Sequence, residues 1–552
     1  MAQRVLISDK LPDICQTVLR DNGIQVDYEP EISPEDLVKA IPKYAALGVR
    51  SRTKATAEVI AAGDNLKVIG RAGAGVDNID LKAADAKGIV VVNTPDANSI
   101  SVNEYVFAVM LSHYRQLAEY DASMKQDKWE KGNFPVNELY EKTIGIVGMG
   151  GIGSEVAKRA KAFGMNVIFH DPYVESYEGR EQASLKDVFK RADFVSLHVP
   201  KADGTKDMIT PQLLKSMKKG GVFINTSRAG VIMGGEATLD KLLGSREDLR
   251  FALDVHDVEK AKVKIGGGKI KIERVLKKYG SRVILTPHTG PSKEANARAA
   301  EGIANEFVSF LKSGTYRSAV NAPIMPEESI PSLALAERIA YLGASLLGKQ
   351  PTAIKASCYG GLKEYAPFIL NSAVRGSLAV NTDQYVSQVN AKALAEKKGI
   401  KLEDREVDDS KDYGPQITLD LVARGKGERM ISIRGGKPNK ESQPVIFRIN
   451  DYTGKPSQFE TNHFQGIGMS PEGNNSIYVC KHSSGIVGVV GTVYGRAGIN
   501  ITGMHTAKSS DGKKELLVLQ TEKPVSQAVL SRVERGLNGK KIKVYDAKAV
   551  NF

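Results

Sequence analysis

The sequence predicts an α/β protein with two doubly wound parallel sheets in tandem, followed by an α+β domain and a small βαββαβ domain. Three observations predict this order: short apolar runs alternate with helix-like segments, a glycine-rich turn follows one such run, and the pattern changes after a proline-containing linker. The length of 552 residues suits three or four domains of about 100 to 200 residues each.

The first half of the chain alternates strand-like and helix-like segments, as parallel sheets require. We predict strands at residues 4–8, 47–50, 68–70 and 89–92, and helices at residues 34–40 and 55–61. A helix predicted over residues 101–120 leads to further strands, at residues 142–148, 167–170, 194–198, 222–225 and 251–255. We therefore predict one domain at residues 1–98 plus 290–322, and a second domain at residues 99–289.

The pattern changes after the linker APIMPEESIP, residues 322–331, whose prolines interrupt the periodicity. A mixed α+β domain is predicted at residues 323–468, with a charged loop at residues 401–413. Its strands are predicted at residues 416–422, 429–434 and 445–449. The last domain, residues 474–552, has the order strand, helix, strand, strand, helix, strand, which predicts a ferredoxin-like fold.

Composition limits the classes of function. The formal net charge is +13, but part of the excess lies in the basic run at residues 260–278, so it indicates a solvated face or attraction of phosphorylated small molecules. We find no recognition element for nucleic acid and no apolar run of the ~18 residues that a membrane span needs. The three scattered cysteines give neither a disulfide framework nor metal-ligand spacing, so we expect a cytoplasmic protein without a metal site.

A dinucleotide motif follows the strand predicted at residues 142–148. Gly148, Gly150 and Gly153 form G-x-G-x-x-G, with Gly151 and Ile152 where a helix begins. Such glycines allow a tight turn, close approach of the pyrophosphate and helix packing. Asp171, at the end of the next strand, can bind the ribose hydroxyls and repel a 2′-phosphate, so this Rossmann-like domain is predicted to bind NAD in preference to NADP.

Three later strand ends carry polar residues, in the segments NTSRAG (225–230), ALDVHDVE (252–259) and TPHTG (286–290). With the glycine motif, their order resembles the D-2-hydroxyacid dehydrogenase family over residues 1–320. The resemblance implies that Arg228 binds the substrate carboxylate and polarises the carbonyl, and that His288 is the acid/base. It also implies that Glu259 pairs with His288 and that Asp254 faces the nicotinamide carboxamide. Further residues implied beside the cofactor are Val199, Thr226, Ser227, Thr289 and Gly290.

The chemistry of alcohol oxidation needs these residue types. The reaction transfers a hydride to NAD and a proton to a base that titrates near neutrality, which suits histidine. A carboxylate orients the imidazole, and a guanidinium grips the substrate carboxylate. Two departures from the family pattern are Ala229 and the long basic interval between Glu259 and His288, which leaves Asp257 or Glu273 as alternative partners of His288. His198 and His256 are expected beside the cofactor or in packing.

The first domain resembles the phosphoglycerate dehydrogenase branch of this family in the runs RSRTK (50–54) and RAGAGVDNID (71–80). The resemblance implies that Arg50 and Arg71 reach a substrate phosphate, that Ala74 and Gly75 offer N–H groups to the carboxylate, and that Asn98 lies nearby. The implied reaction is 3-phospho-D-glycerate plus NAD to 3-phosphooxypyruvate plus NADH, at the entry to serine synthesis. Alternatives are a glyoxylate or hydroxypyruvate reductase and an NAD-sensing corepressor of the same fold.

The third domain resembles the intervening domain of long-form members of that branch, through VNA (389–391) and AEKKGI (395–400). The last domain resembles their ACT domain, through GIVG (485–488) and GINITG (498–503). ACT domains bind amino acids where two copies pair. The resemblance therefore implies a homo-oligomer, a dimer or tetramer, with L-serine as a possible effector at His482 and Asn500. The turn at Ser483 and Ser484 departs from the Arg-Pro-Gly usual there.

Overall fold

A computed structural model describes residues 3–133, 136–200, 202–256, 276–382, 384–407, 415–424, 428–436, 444–454 and 460–552. Within these residues the strands form four sheets that follow one another along the chain. The two parallel sheets and the two mixed or antiparallel sheets confirm the predicted fold class.

The first sheet has parallel strands in the order β2-β1-β3-β4-β5. The strands are β1 (Arg4–Ile7), β2 (Gln25–Tyr28), β3 (Ala46–Val49), β4 (Val68–Arg71) and β5 (Val90–Asn93). The helices are α1 (Ile14–Asp21), α2 (Pro34–Ala40), α3 (Ala57–Ala62) and α4 (Leu81–Lys87). One face is completed from far along the chain by α11 (Lys293–Ser313), whose Ile303 and Phe307 are fully buried in the same core as Val5 and Val68.

The second sheet is parallel, in the order β12-β11-β10-β9-β6-β7-β8. Its strands are β6 (Thr143–Val147), β7 (Asn166–His170), β8 (Glu181–Gln182), β9 (Phe194–Leu197), β10 (Val222–Asn225), β11 (Arg250–Leu253) and β12 (Val283–Leu285). Its helices are α5 (Ser99–Arg115), α6 (Leu117–Met124), α7 (Gly151–Ala162), α8 (Leu185–Arg191), α9 (Pro211–Lys215) and α10 (Gly235–Ser245).

The single helix predicted over residues 101–120 is wrong: two helices, α5 and α6, meet at Gln116. Gln116 has a positive φ of 51°, and its side-chain amide donates a hydrogen bond to the carbonyl of His113. A left-handed residue ends a helix because it points the following backbone away from the axis. Propensity could not reveal this break, since glutamine is an ordinary helix former.

The third sheet has the order β14-β13-β15-β16-β17-β18. Its strands are β13 (Ala353–Tyr359), β14 (Lys401–Val407), β15 (Gln416–Ala423), β16 (Glu428–Gly436), β17 (Val445–Gly454) and β18 (Glu460–Met469), and its helices are α12 (Ile330–Leu347), α13 (Ala366–Ala379) and α14 (Ala391–Lys397). The charged loop predicted at residues 401–413 is wrong over Lys401–Val407, which pairs in parallel with Ala353–Tyr359 as an edge strand. Charged side chains suit an edge strand, so composition alone was misleading.

The fourth sheet has the ferredoxin-like order β20-β21-β19-β22. Its elements are β19 (Asn474–Lys481), α15 (Ile486–Arg496), β20 (Ile501–Lys508), β21 (Lys514–Thr521), α16 (Gln527–Gly539) and β22 (Val544–Asn551). Helices α15 and α16 cover one face of this sheet. Residues of the other face, such as Ile477 and Val518, are buried in one core with Ile339 of α12 and Ile433 of β16. The third and fourth domains therefore share a hydrophobic core.

Helix α12 is the most apolar long helix in the described part of the chain. The stretch Glu327–Leu347 meets the length and mean hydropathy of a membrane span, although the sequence holds no uninterrupted apolar run of that length. Its residues Leu335, Ile339 and Leu346 are buried against α13 and the third sheet. We therefore interpret α12 as a core helix.

A glycine allows α12 and α13 to approach closely. A Cβ added at Gly376 of α13 would overlap the carbonyl oxygen of Glu337 on α12. We expect Gly376→Ala to lower the free energy of unfolding by about 2 kcal/mol, because backbone atoms must shift. The midpoint of thermal unfolding measures this loss. Gly488→Ala on α15, where an added Cβ meets nothing within 4 Å, is the matched control and should raise stability by up to ~1 kcal/mol. Equal midpoints for Gly376→Ala and wild type would contradict this packing.

Candidate active site

The candidate site lies between the first and second domains, at the carboxyl ends of their parallel strands, where open α/β sheets bind ligands. One cavity of about 350 Å³ faces the first domain. A second cavity of about 230 Å³ faces the glycine turn of the second domain. Gly75, Asn98, Arg228 and His288 line both cavities, so the two adjoin.

Most of the predicted site residues converge on these cavities. The first cavity is lined by the predicted substrate residues Arg50, Arg71, Ala74, Gly75, Asn98 and Arg228, together with His288. The second is lined by the predicted cofactor residues Gly150, Gly151, Ile152, Val199, Thr226, Ser227, Arg228, Asp254 and His288. Residues that are 238 positions apart in the sequence, Arg50 and His288, therefore face the same space.

The glycine turn leads from β6 into α7. Gly148 has a φ of 96°, and a Cβ there would lie 2.5 Å from the carbonyl oxygen of His198. A Cβ at Gly153 would overlap the carbonyl oxygen of Gly148, whereas one at Gly150 would meet nothing within 4 Å. The turn is thus closed on its protein side and open at Gly150, where α7 begins and its free N–H groups can receive a phosphate.

Asp171 stands directly after β7, beside this turn. Its Oδ2 accepts a hydrogen bond from the backbone N–H of Met149 at 2.8 Å, and its Oδ1 accepts one from Tyr173 at 2.8 Å. The carboxylate is thereby held at the mouth of the glycine turn. The glycines, the helix N-terminus and this acid are a donor and acceptor set that fits the pyrophosphate and ribose of NAD.

The loop after β12 carries His288 and is held by Asp254. One oxygen of Asp254 accepts from the hydroxyl of Thr286 at 2.6 Å and the N–H of Thr289 at 2.7 Å, and the other accepts from the N–H of Gly290 at 2.9 Å. Asp254 is only 1% exposed. His288 itself has a positive φ of 57°, and its N–H donates to the carbonyl of Asp254. Sequence reasoning did not foresee this role of Asp254.

Three arginines surround the first cavity. Arg71 donates from Nε to the carbonyl of Arg50 at 2.8 Å and from Nη1 to the carbonyl of Gly75. Arg50 donates from Nη2 to Asn296 at 2.7 Å. Arg228 reaches from the second domain to Asp77 of the first, with 3.4 Å between Nε and Oδ2. Sequence reasoning missed the contacts of Asp77, which lies within the run RAGAGVDNID (71–80), and of Asn296, which belongs to no motif that we recognise.

The cations and the burial shift two pKa values in the site. The pKa of Arg71 is lowered, first by burial and then by the neighbouring charge of Arg228, with Arg50 adding to the effect. The pKa of His288 is also lowered, first by burial; Asp254 opposes this shift, and Arg228 and Arg71 reinforce it. The cavity therefore favours an anionic ligand and a neutral imidazole.

Other predicted residues lie elsewhere. Glu259 and its alternatives Asp257 and Glu273 fall outside the described residues. In the last domain, His482 follows β19 and Asn500 precedes β20, and the strand register puts them at opposite ends of the sheet, about 25 Å apart for eight-residue strands. His482 pairs with Glu515 at 2.9 Å, and Asn500 is exposed. Within one chain they do not form one site.

Comparisons with known proteins identify the family of this chain. The profile of the family "D-isomer specific 2-hydroxyacid dehydrogenase, NAD binding domain" matches residues 107–290. The fold and the nucleotide-binding turn therefore define an NAD-dependent oxidoreductase of the 2-hydroxyacid dehydrogenase class, which confirms the predicted cofactor.

Relatives that match over nearly the whole chain identify the family within this class. The D-3-phosphoglycerate dehydrogenase of Archaeoglobus fulgidus is 33% identical over 545 residues, which cover 96% of this chain and 98% of that protein. That of Methanocaldococcus jannaschii is 32% identical over 552 residues, covering 98% and 99%. A solved glyoxylate reductase of Paecilomyes thermophila is 26% identical, with a TM-score of 0.51, and covers 58% of this chain and 98% of its own. The chain belongs to the D-3-phosphoglycerate dehydrogenase family, as its resemblance predicted.

Proposed function

We propose that this protein oxidises 3-phospho-D-glycerate to 3-phosphooxypyruvate with NAD, the first step of L-serine biosynthesis. The observation that carries the proposal is the convergence of Arg50, Arg71 and Arg228 on one cavity with His288. A substrate with one carboxylate and one phosphate needs cations at both ends of its three-carbon chain, and guanidinium groups bind both anions through paired N–H donors.

The roles of the residues follow from their positions. Arg228 lines both cavities and is the cation suited to the carboxylate and to the carbonyl oxygen that forms. Arg50 and Arg71, on the first domain, are suited to the phosphate, with the backbone of Gly75 between them and Arg228. The glycine turn and Asp171 would hold NAD, which would supply the acceptor for the hydride of the alcohol carbon. Neutral His288 accepts the hydroxyl proton, and the fixed loop on Asp254 keeps its ring in place.

The alternatives fit less well. A glyoxylate or hydroxypyruvate reductase acts on substrates without a phosphate, which leaves two additional half-buried arginines at the cavity without an anionic partner. A corepressor of this fold can keep the catalytic residues but would lack the C-terminal ferredoxin-like domain, which is present in this chain. The relatives that match over the whole chain also carry the name of the phosphoglycerate enzyme.

Removing one phosphate arginine should separate phosphorylated from unphosphorylated substrates. In Arg71→Ala we expect kcat/KM for 3-phosphoglycerate to fall about 100-fold, because about two charge-assisted hydrogen bonds are lost. The rate with glycerate should change little. Rates of NADH formation with 3-phosphoglycerate, glycerate, malate and lactate measure this difference. Lys54→Ala, an exposed cation nearby, serves as the control. Equal wild-type rates on glycerate and 3-phosphoglycerate would refute the phosphate assignment.

The fall of activity at acid pH should follow the protonation of His288. Only the neutral ring accepts the hydroxyl proton, and burial and nearby arginines lower the pKa of His288 below 6.5. Activity should therefore be full at neutral pH and fall as pH drops through that lowered pKa, with the unit slope of log kcat/KM against pH that a single protonation gives. We expect His288→Gln to lose about a thousandfold in kcat. The measurement is kcat/KM from pH 5 to 9, and an acid limb above pH 7 in wild type would contradict this assignment.

A homo-oligomer, a dimer or tetramer, is part of the proposal. Large apolar side chains are exposed along α6 and the segment after it, including Leu117, Met124 and Trp129, the last of them 78% exposed. Such an accumulation commonly marks a surface that another chain covers. A second copy would also allow His482 of one chain and Asn500 of another to face the same ligand. The three cysteines are buried and scattered along the chain, in keeping with the cytoplasmic location that we propose.

The effector at that paired site is proposed to be L-serine. Isothermal calorimetry at millimolar L-serine should give a saturable heat, and His482→Ala should remove it without changing the basal rate. D-serine is the control ligand, since a specific site distinguishes the two isomers. An absence of heat with L-serine would exclude this effector.

A further inference from the structure

A second histidine, His256, lies beside the loop that carries His288 and has no role in the proton transfer described above. It follows β11 by three residues, and its side chain is only 12% exposed. Its Nδ1 lies 3.1 Å from Oε1 of Glu236, and its Nε2 lies 3.0 Å from the carbonyl oxygen of Thr286. His256 thus joins the start of α10 to the beginning of the 286–290 loop.

Both neighbours of the ring are hydrogen-bond acceptors. A neutral imidazole has one N–H and can satisfy only one of them, whereas an imidazolium donates to both. The other solution, a protonated Glu236 beside a neutral ring, is disfavoured because a carboxyl group is ordinarily the stronger acid. Glu236 also lies in the first turn of α10, where the helix dipole favours a negative charge.

The charges around His256 come from three elements. Glu236 on α10 contributes the largest effect, which raises the pKa of His256, while burial opposes it and Asp254 after β11 supports it. His288, on the loop after β12, is a nearby titratable group whose pKa is lowered, whereas that of His256 is raised. A charged His256 adds to the lowering of the pKa of His288, after the larger effects of burial, Arg228 and Arg71.

Thr286 connects His256 to the catalytic loop. Its carbonyl accepts from His256, and its hydroxyl donates to Asp254 and contacts the hydroxyl of Tyr105 at 2.6 Å. His288 is two residues further on. Loss of the hydrogen bond at the Thr286 carbonyl therefore allows movement of the backbone that sets the position of the His288 ring.

We propose that His256 is a positioning residue which, as an imidazolium held by Glu236, fixes the Thr286 carbonyl and so the loop that carries His288. The inference rests on the proposed function, because His288 is the base in that reaction. Its charge also keeps His288 neutral. The support is present below the pKa of His256 and is lost as pH rises through it, when the ring can no longer donate to both acceptors.

Kinetics of two variants test the proposal. In wild type we expect kcat/KM for 3-phosphoglycerate to fall at alkaline pH as His256 loses its proton. Glu236→Gln keeps the shape of the side chain but removes its charge, and we expect this alkaline limb to move to lower pH. In His256→Phe we expect no such limb, kcat/KM about tenfold lower at its optimum, and the acid limb about half a pH unit higher, because a neighbouring cation is gone. His505→Phe in the last domain is the control and should keep the wild-type profile.

A merely structural role would lower kcat/KM equally at every pH, and variant profiles parallel to the wild-type profile would overturn the proposal. A second measurement needs no substrate and so distinguishes a failure here from a failure of the proposed function. Nitrogen NMR of ¹⁵N-histidine-labelled protein should give one ring with both nitrogens protonated at pH 7 that is missing in His256→Phe. A neutral His256 ring at pH 7 would also overturn the proposal.

Discussion

The buried carboxylate of Asp254 is the contact on which the geometry of the active site depends. It joins the end of β11 to the loop after β12 through one hydroxyl and two backbone N–H groups. A buried carboxylate with such partners tolerates little movement, since each lost hydrogen bond leaves a buried polar atom without a partner. The positive φ of His288 is retained because the loop on either side of it is fixed in this way.

The arginines add an electrostatic constraint to this geometric one. Arg228 belongs to the second domain and contacts Asp77 of the first, so the cavity is completed only when the two domains face each other. Burial lowers the pKa values of Arg71 and His288 first, and the cations that lie close to both groups lower them further. One arrangement therefore attracts the anionic substrate and keeps the base neutral.

The sequence predicted the sheets and the nucleotide turn well because these depend on local patterns. The βα alternation, the glycine spacing and the acid after β7 are all readable within about 30 residues. Contacts between distant segments could not be read in the same way. The break at Gln116, the edge strand Lys401–Val407, the anchoring role of Asp254 and the pairing of His256 with Glu236 depend on neighbours that the fold supplies. His482 and Asn500 were grouped by motif, and strand register separates them. Glu259 stays a prediction, outside the described residues.

The discontinuity of the first domain has a consequence for biosynthesis. Its core needs α11, which begins 200 residues after β5 ends. During translation at ~5 to 20 residues per second, the ribosome needs roughly 10 to 40 s to supply that helix. Until then, the face of the first sheet that holds Val5 and Val68 has no helix α11 to cover it. The first domain to be synthesised can therefore complete its core only after the nucleotide-binding domain has been synthesised.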